Sequence, residues 1–261
     1  MIRAKKSLGQ NFLKSKEALR ALVSAGEVGP DDIILEAGPG KGILTTELVK
    51  TAKKVIAIEK DVRLIGDLKE KFLGEIKVGK LELIEGDILE FESSLDNYKI
   101  IANIPYYITG TFLQKFLEGK NQPSKMVLML QKEVAQRIVA RDNKESILSI
   151  SVKAYGAPKY IMTVKAKYFS PEPKVDSAII LIDKISKDFF TDFSEEHFFK
   201  IVKTGFAHKR KMLIGNLSEI FPKQVVLEAF QKAGIDEKAR AEDIKLEQWR
   251  QLAALFAIIG E

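Results

Sequence analysis

The sequence predicts an α/β protein with an open, mostly parallel, seven-stranded sheet, followed by a small domain made only of helices. Between residues 33 and 183, seven short apolar runs typical of buried strands are interspersed with amphipathic segments typical of helices. A Gly-rich turn joins the first strand to a helix, as in doubly wound sheets. After residue 185 the strand patterns stop and helical periodicity continues, which predicts domains over 1–185 and 186–261.

The same periodicity places individual helices. It predicts a helix over 15–25, with Ser15 as N-cap and Gly26 at its end. It also predicts helices over 61–73 and 210–218.

Composition narrows the classes of function. The chain has 261 residues, 46% of them hydrophobic, which is enough to bury a core. The formal net charge of +6 suits a polyanionic partner such as nucleic acid. There is no cysteine, so disulfides and thiolate metal sites are excluded. With only His197 and His208, a histidine-based metal or catalytic site has little support.

The amino-terminal segment, residues 1–14, is a basic arm that includes Lys5 and Lys6 and has no acidic residue. Such an arm is often a frayed terminus. The embedded Gln10–Leu13 indicates instead that it docks, with its cations free for phosphate. No signal-peptide pattern and no apolar run of membrane-spanning length is present. We therefore expect a cytoplasmic protein without a membrane partner, and we expect a monomer.

A Gly-rich turn, residues 37–42, follows the strand 33–36 and precedes a helix over 43–51. The pattern is Gly-x-Gly-x-Gly, and Ile43 stands where a dinucleotide fingerprint has its third glycine. This disfavours a dehydrogenase, and the lack of a Gly-Lys-Ser/Thr ending excludes a P-loop. Glycines here allow a ligand to approach the backbone, although a purely structural turn would use the same residues.

Acidic residues end the next two strands. Glu59 follows the strand 54–58, 17 residues after Gly42, where a carboxylate is placed to accept from ribose hydroxyls. Asp87 follows the strand 81–85 and is placed to accept from an exocyclic amino group. A solvated strand-end Glu and a turn-forming Asp are the alternatives.

The fourth strand, near residues 100–102, ends in Asn103-Ile104-Pro105-Tyr106. An amide oxygen and a backbone carbonyl can accept hydrogen bonds from an amine, Pro105 stiffens the turn, and Tyr106 offers a ring for stacking. A capped loop with a half-buried tyrosine is the alternative. Together the four strand ends predict one pocket for an adenosine-bearing ligand beside an amine-binding turn.

This arrangement resembles the Rossmann-like fold of class I S-adenosylmethionine (SAM)-dependent methyltransferases. Asn103–Tyr106 is similar to the Asn-Leu-Pro-Tyr variant of rRNA adenine-N6 methyltransferases. The Gly9–Leu13 arm narrows the resemblance to the KsgA-type rRNA adenine dimethyltransferases and their macrolide-resistance relatives. The Gln131–Ala135 run and the loop 169–177, which matches Phe-x-Pro-x-Pro-x-Val-x-Ser, also resemble this family.

A basic segment in the helical region resembles the same family. Counting from Phe206, it is similar to Phe-x-x-Arg-Arg-Lys-x-Leu-x-Asn, with Lys209 in place of the first Arg. A charge run is usually a solvated face. With the resemblance, Lys209, Arg210 and Lys211 are predicted to grip RNA phosphates, together with Lys5 and Lys6.

The resemblance implies SAM as cofactor, without a metal. Asn11 and Leu13 would cover it, while Gly38 and Gly40 approach its methionine end. The remaining contacts that the resemblance implies come from Glu59, Lys60, Asp87, Ile88 and Asn103.

For catalysis, the Asn103 side-chain oxygen and the Ile104 carbonyl are expected to accept from the adenine amine. Pro105 fixes the turn, and Tyr106 with Phe169 is expected to sandwich the flipped base. Without the resemblance, a core role for Phe169 would be favoured.

The resemblance further implies dimethylation of two adjacent adenines in the 3′-terminal hairpin of small-subunit (16S) rRNA. The partner is then that rRNA or an immature 30S particle, with a role in small-subunit maturation. One alternative is a macrolide-resistance-type enzyme acting on 23S rRNA, which the intact Phe169–Ser177 loop and the basic segment disfavour. The other is an RNA-binding assembly or transcription factor with a vestigial pocket, which the complete Asn103–Tyr106 motif disfavours.

Overall fold

A computed structural model of the protein describes residues 4, 5 and 8–259. The strands are β1 (Phe12–Leu13), β2 (Ile33–Ala37), β3 (Lys54–Glu59), β4 (Leu81–Glu85), β5 (Tyr98–Asn103), β6 (Lys125–Gln131), β7 (Ala157–Val164), β8 (Phe169–Ser170) and β9 (Ser177–Asp183). The α-helices are α1 (Lys16–Ala25), α2 (Ile43–Thr51), α3 (Val62–Lys71), α4 (Leu73–Lys77), α5 (Thr109–Glu118), α6 (Lys132–Ile138), α7 (Ile147–Tyr155), α8 (Glu195–Gly205), α9 (Leu213–Leu217), α10 (Lys223–Lys232) and α11 (Leu246–Ile259).

The main sheet has seven strands in the order β4-β3-β2-β5-β6-β9-β7. Neighbours pair in parallel from β4 to β6, and β9 is antiparallel to both β6 and β7. The predicted mostly parallel, seven-stranded sheet is therefore confirmed. Its central strands β2, β5 and β6 are mostly apolar and mostly buried, as expected of strands covered on both faces.

The sheet has a topological switch point beside β2. The chain runs outward from β2 through β3 to the edge strand β4, then returns to β5 on the other side of β2. Because the connections that follow β2 and β5 lead away in opposite directions, a crevice opens beyond the carboxyl ends of these two strands. The predicted turns therefore meet at the usual place for a ligand in such a sheet.

Helix α1 anchors the arm to the sheet. The Ser15 side chain accepts the Ala18 N–H at 3.2 Å, and the Gly26 N–H donates to the Leu22 carbonyl at 3.2 Å, as the sequence predicted for the two ends of this helix. Leu19 and Leu22 are buried in the apolar core. The arm itself adds the short strand β1, which pairs antiparallel with β8.

One predicted helix is divided. The segment predicted as a helix over 61–73 ends at Lys71, and a second short helix starts at Leu73. Phe72 at the break is 3% exposed. Its ring packs against Gly42, where φ is +68° and a Cβ would lie 2.5 Å from a ring carbon. The break thus serves the packing of the Gly-rich turn.

The structure divides into two compact units, and residues 136–156 belong to the second unit and not to the first, unlike in the predicted domains. The first unit runs to residue 135 and resumes over 157–185, while 136–156 and the segment from 186 onward form the second. The reason is packing: Ile150 and Ala154 of α7 are buried in the same apolar cluster as Phe198 and Trp249. The second division between the units falls between residues 185 and 186.

The helical unit is built around that apolar cluster, to which α7 through α11 contribute. The helix predicted over 210–218 begins only at Leu213, because Lys209–Lys211 belong to a turn closed by the Lys211 N–H and the His208 carbonyl at 3.0 Å. Across the described parts of the chain, no helix has the length and apolar character needed to span a membrane.

Candidate functional site

A pocket opens at the carboxyl ends of β2 to β5, in the crevice at the switch point. It encloses about 1140 Å³ of empty space with its open mouth included, ample for a nucleoside-sized ligand. The pocket is lined by all the residues predicted to contact the cofactor: Asn11, Leu13, Gly38, Gly40, Glu59, Lys60, Asp87, Ile88 and Asn103. Sequence positions separated by more than ninety residues, Asn11 and Asn103, thus share one wall.

The basic arm lies on the Gly-rich turn. Gly40 has φ +60°, and a Cβ there would come within 3.1 Å of the Phe12 ring. The Lys41 ammonium lies 4.8 Å from the centre of the same ring, a cation–π contact. A side chain at position 40 would therefore push the arm off the turn.

Glu59 fixes the same turn from the other side. Its Oε2 accepts the Gly40 N–H at 2.9 Å, and its Oε1 accepts the Asp61 N–H at 2.8 Å. The residue is 5% exposed, and burial raises the pKa of its carboxyl above the ordinary value, against the opposing effect of these two N–H groups. Each carboxylate oxygen has a second acceptor position, so a ribose hydroxyl can still bind here.

Asp61 links Glu59 to the arm, a connection that the sequence reasoning missed. Its Oδ2 accepts from Gln10 Nε2 at 2.8 Å, and Arg63 donates to both carboxylate oxygens, at 2.8 and 2.6 Å. The hydrogen bond from the Arg63 guanidinium holds the pKa of Asp61 well below its ordinary value. The sequence signal for this connection was the position of Gln10 inside the arm motif. The partner of Gln10, Asp61, is 51 residues away and could not be identified from it.

Asp87 is paired at the pocket wall. Lys60 Nζ donates to its Oδ2 at 2.5 Å, and the Leu89 N–H donates to its Oδ1 at 2.9 Å. Burial acts to raise the pKa of Asp87, but the bonds from Lys60 and Leu89 outweigh it and leave the pKa lowered. Lys60 therefore orients Asp87, and in this geometry its own ammonium is directed to that carboxylate.

Asn103 is oriented by the arm. Its Nδ2 donates to the backbone carbonyl of Asn11 at 3.3 Å. With the amide nitrogen held there, the side-chain oxygen of this pocket-lining residue is left as an acceptor. The backbone turn that follows carries Ile104, whose side chain is 1% exposed and anchors the turn in the core.

Tyr106 and Tyr107 follow in a short 3₁₀ helix that extends from Tyr106 to Ile108. The Tyr106 hydroxyl bonds to Ser177 Oγ at 2.7 Å, and burial raises the pKa of this phenol. Ser177 ends the loop that resembles the family's Phe-x-Pro-x-Pro motif, so this loop positions the Tyr106 ring. Tyr107 also lines the pocket and is 62% exposed, a feature that the sequence reasoning did not single out.

Phe169 does not lie on the pocket wall in this geometry. It is 2% exposed, belongs to the apolar core and pairs with Leu13 through the β1–β8 ladder. The predicted aromatic sandwich therefore has one wall, Tyr106, and no second wall from Phe169. The arm strand β1 pairs here with β8 at the start of the loop 169–177, and with this pairing the Phe169 side chain lies in the apolar core.

A buried carboxyl in the pocket lining, Glu36, was also missed by the sequence reasoning. It is 1% exposed, and its Oε2 has no hydrogen-bond partner among the described residues. Burial raises its pKa to about 8, and nearby Glu59 acts in the same direction. The sequence signal that could have identified it was an acidic residue near the end of an otherwise apolar strand.

The predicted RNA-contacting cations lie at the arm and in the helical unit. Lys209, Arg210 and Lys211 are all exposed, and Lys211 has Glu219 at 3.7 Å. Lys5 is exposed, with its backbone N–H donating to Gln10 Oε1 at 2.8 Å. Lys6 lies outside the described residues.

The turn before the basic segment is held by a buried amide. Asn216 is fully buried, and its Nδ2 donates to the Gly205 carbonyl at 2.6 Å and to the His208 carbonyl at 3.3 Å. Counted from Phe206, the family motif has its Asn at position 215, where this chain has Gly215, and Asn216 follows directly. Its side chain thus fixes the backbone that presents Lys209–Lys211.

No cluster of three or more His, Cys, Asp or Glu side chains suited to a metal ion occurs within residues 4–5 and 8–259. The pocket offers carboxylates, amide and backbone groups, glycine backbone and two tyrosine rings. This set is suited to hydroxyls, amines and a flat heterocycle.

Comparisons with known proteins agree on one group of enzymes. The family described as "Ribosomal RNA adenine dimethylase" matches residues 1–257. A protein named "Ribosomal RNA small subunit methyltransferase A" from Dehalococcoides mccartyi is 41% identical over 263 residues, covering 98% of this chain and 89% of its own. A solved dimethyladenosine transferase from Plasmodium falciparum has a TM-score of 0.84 at 28% identity, over 95% and 98% of the two chains. The 23S rRNA methyltransferase ErmE has a TM-score of 0.80 at 27% identity, over 95% and 100%.

Proposed function

From the premise that this chain belongs to the ribosomal RNA adenine dimethylase family, we propose that it dimethylates N6 of two adjacent adenines in the 3′-terminal hairpin of 16S rRNA. The coarser assignment, an rRNA adenine dimethyltransferase with a class I methyltransferase fold, follows from the family match and the similar solved structures. The proposal adds the small-subunit target, an immature 30S particle as substrate, action as a monomer in the cytoplasm, and a role in subunit maturation. The name of the relative from Dehalococcoides mccartyi supports the choice of subunit.

The observation that carries the proposal is the orientation of Asn103. Because its Nδ2 donates to the Asn11 carbonyl, its Oδ1 is available to accept from an amine in the pocket. A second acceptor, the Ile104 carbonyl, follows it directly in the chain. Two acceptors at one turn match the two hydrogens of an adenine amino group.

The pocket fits SAM by the chemistry of its residues. Gly38 has φ +66° with open space where a Cβ would lie, so its backbone is accessible to the methionine end of the cofactor. Glu59, Asp87 and Ile88 line the same pocket. In this proposal Glu59 accepts from the ribose hydroxyls, and Asp87 with Ile88 holds the adenine. Asn11 and Leu13 cover this volume from the arm. When bound, SAM supplies a methyl group activated by its sulfonium sulfur.

The chain's task in the reaction is to make the adenine amine nucleophilic. The N6 lone pair is delocalised into the ring, and hydrogen bonds from both N–H groups to Asn103 Oδ1 and the Ile104 carbonyl favour a pyramidal nitrogen. The methylated, protonated nitrogen is acidic and releases its proton to water, so no strong base is needed. Alignment of nitrogen and methyl is then the main contribution, worth about 7–11 kcal/mol at best.

The target base must also leave its stack, which costs a few kcal/mol and least in a loop. Stacking on Tyr106 offsets roughly 1–3 kcal/mol of this. The Ser177 bond holds the ring for that purpose. Phe169 would contribute a second wall only after leaving the core position that it occupies here.

A second candidate is methylation of large-subunit rRNA, because ErmE aligns over its whole length with this chain. It would use the same pocket and the same chemistry. The 41% identity to a small-subunit enzyme favours the first candidate over ErmE at 27%.

The test is transfer of labelled methyl groups from SAM to small-subunit particles that lack the modification, with naked large-subunit rRNA in a parallel reaction. We expect label in the small-subunit rRNA, recovered as N6,N6-dimethyladenosine by mass spectrometry. Label in large-subunit rRNA alone would establish the second candidate. Absence of label in both would contradict the proposal and support a binding factor with an inactive pocket.

A further inference from the structure

The exposed ring of Tyr107 lies at the mouth of the pocket and needs an explanation. It is 62% exposed although it lines the pocket, whereas its neighbour Tyr106 is half-buried and hydrogen-bonded. An exposed aromatic ring in the lining of a nucleotide-binding pocket offers a face on which a base can stack.

The ring is held in place by rigid backbone. Tyr107 lies in the 3₁₀ helix after Pro105, closed by the Ile108 N–H bond to the Pro105 carbonyl at 3.2 Å. One side of the ring packs on Gly9 of the arm, where a Cβ would lie 3.3 Å from Cδ1 and 3.4 Å from Cε1. Gly9 has φ +60° and has no side chain to displace the ring. The backbone that carries the ring and the glycine on which it packs are thus both defined without a ligand.

A cation lies in the same region. Lys60 lines the pocket with Tyr107, and its side chain is 55% exposed while it pairs with Asp87. Lys60 and Tyr107 thus line the same pocket, and both are largely exposed there. An aromatic ring with a neighbouring cation suits a nucleotide, whose base stacks and whose phosphate is anionic.

We propose that Tyr107 is a stacking platform for the nucleotide next to the adenine in the pocket. This inference rests on the proposed function, because a flipped base in the pocket brings the adjacent nucleotide to the pocket rim, where Tyr107 is exposed. Since stacking accepts any base, the platform would hold the second of two adjacent adenines while the first is methylated. Tyr107 is thus a positioning residue for the RNA.

The test uses the full chain with S-adenosylhomocysteine and an RNA hairpin that carries 2-aminopurine beside the target adenine. Tyr107→Leu is expected to raise the Kd for this RNA roughly 5- to 150-fold and to abolish the change in 2-aminopurine fluorescence on binding. Tyr107→Phe keeps the ring and is expected to behave as the wild type. The melting temperature and the Kd for SAM, measured on each variant, verify that the fold and the cofactor site are intact.

Tyr168 provides the matched control, because it is 39% exposed and does not line the pocket. Tyr168→Leu is expected to leave both RNA readouts unchanged. The inference is overturned if Tyr107→Leu binds with wild-type affinity and fluorescence, if Tyr107→Phe is as impaired as Tyr107→Leu, or if Tyr168→Leu is equally impaired. Failure of the proposed function is separate: it would show as wild-type protein that transfers no methyl group to small-subunit rRNA.

Discussion

The pocket turn and the basic segment of the helical unit are both polar, but they are built in opposite ways. In the pocket, Asn103, Glu59 and Asp87 each have at least one of their polar atoms fixed by a neighbour at 3.3 Å or less. In the segment Lys209–Lys211, the side chains are exposed, and the ion pair there joins Lys211 to Glu219 at 3.7 Å.

The difference corresponds to two physical tasks. Aligning a nitrogen with a methyl group requires groups held to within a fraction of an ångström. Attraction of a polyanion needs positive charge without fixed geometry, since counterion release depends on the number of contacts. We therefore expect substitutions in the pocket to change the rate and substitutions in the basic segment to change RNA affinity.

The largest effect is expected at Asn103. Asn103→Ala removes one acceptor for the amine and should lower kcat about 10²- to 10³-fold, the range for loss of one preorganised hydrogen-bonding group. Asn103→Asp keeps acceptors but loses the donor to the Asn11 carbonyl, so it should also be slow. RNA binding, measured by filter retention, should stay near wild type in both. A wild-type rate in either variant would remove the orientation of Asn103 from the mechanism.

The next effect concerns the basic segment. Replacing Lys209, Arg210 and Lys211 together by Ala should lower RNA affinity roughly 100-fold near 0.1 M salt and reduce the slope of log K against log salt by about 2–3. The matched control replaces three other exposed lysines of the helical unit, Lys223, Lys232 and Lys238, with the same change in charge. An equal loss in the control would show that net charge alone matters.

A smaller effect is expected at Asn216, which fixes the backbone beneath those cations. Asn216→Ala removes the donor to the Gly205 and His208 carbonyls and should cost about 1–3 kcal/mol of unfolding free energy. RNA affinity should fall by less than in the triple variant, and the salt slope should be unchanged because all three cations remain. Thermal unfolding measures the loss of stability, and the same salt titration measures the RNA affinity and the salt slope. A salt slope as low as that of the triple variant would contradict the view that Asn216 acts only on the backbone beneath the cations.

The buried carboxyl of Glu36 in the pocket leads to a prediction on the pH dependence of stability. Burial raises the pKa of Glu36 from an ordinary 4.5 to about 8. As pH rises, the Glu36 carboxyl ionises at a lower pH in the unfolded chain than in the folded protein. The free energy of unfolding of the wild type should therefore fall between these two pKa values, by at most about 1.4 kcal/mol per pH unit. Glu36→Gln removes this dependence, and its stability relative to wild type should rise from pH 5 to pH 8. Parallel curves for the two proteins in chemical denaturation would refute the shift.

Local patterns in the sequence predicted most of the fold. The apolar runs located every strand of the main sheet, and Ser15 and Gly26 marked the ends of α1. Packing between distant segments decides the strand order, the break at Phe72 and the place of residues 136–156. Hydrophobic periodicity along the sequence could not predict these features. Short-range patterns identify elements, and long-range contacts decide how they associate.

The site divides in the same way. Strand ends that carry a glycine turn, Glu59, Asp87 and Asn103 predicted one pocket because parallel strands bring their carboxyl ends to one edge. The bonds Gln10–Asp61 and Asn103–Asn11 cross 51 and 92 residues and have no local signature. The inward turn of Phe169 follows from the pairing of β1 with β8, which sequence position alone did not indicate.

The division of labour between the two regions is tested most directly by one measurement on two variants. Single-turnover methyl transfer is followed at saturating SAM and RNA for Asn103→Ala and for the triple variant of Lys209, Arg210 and Lys211. We expect Asn103→Ala to be slow and the triple variant to react at the wild-type rate once RNA is saturating. A slow triple variant, or an Asn103→Ala protein with the wild-type rate, would contradict the assignment of chemistry to the pocket and affinity to the basic segment.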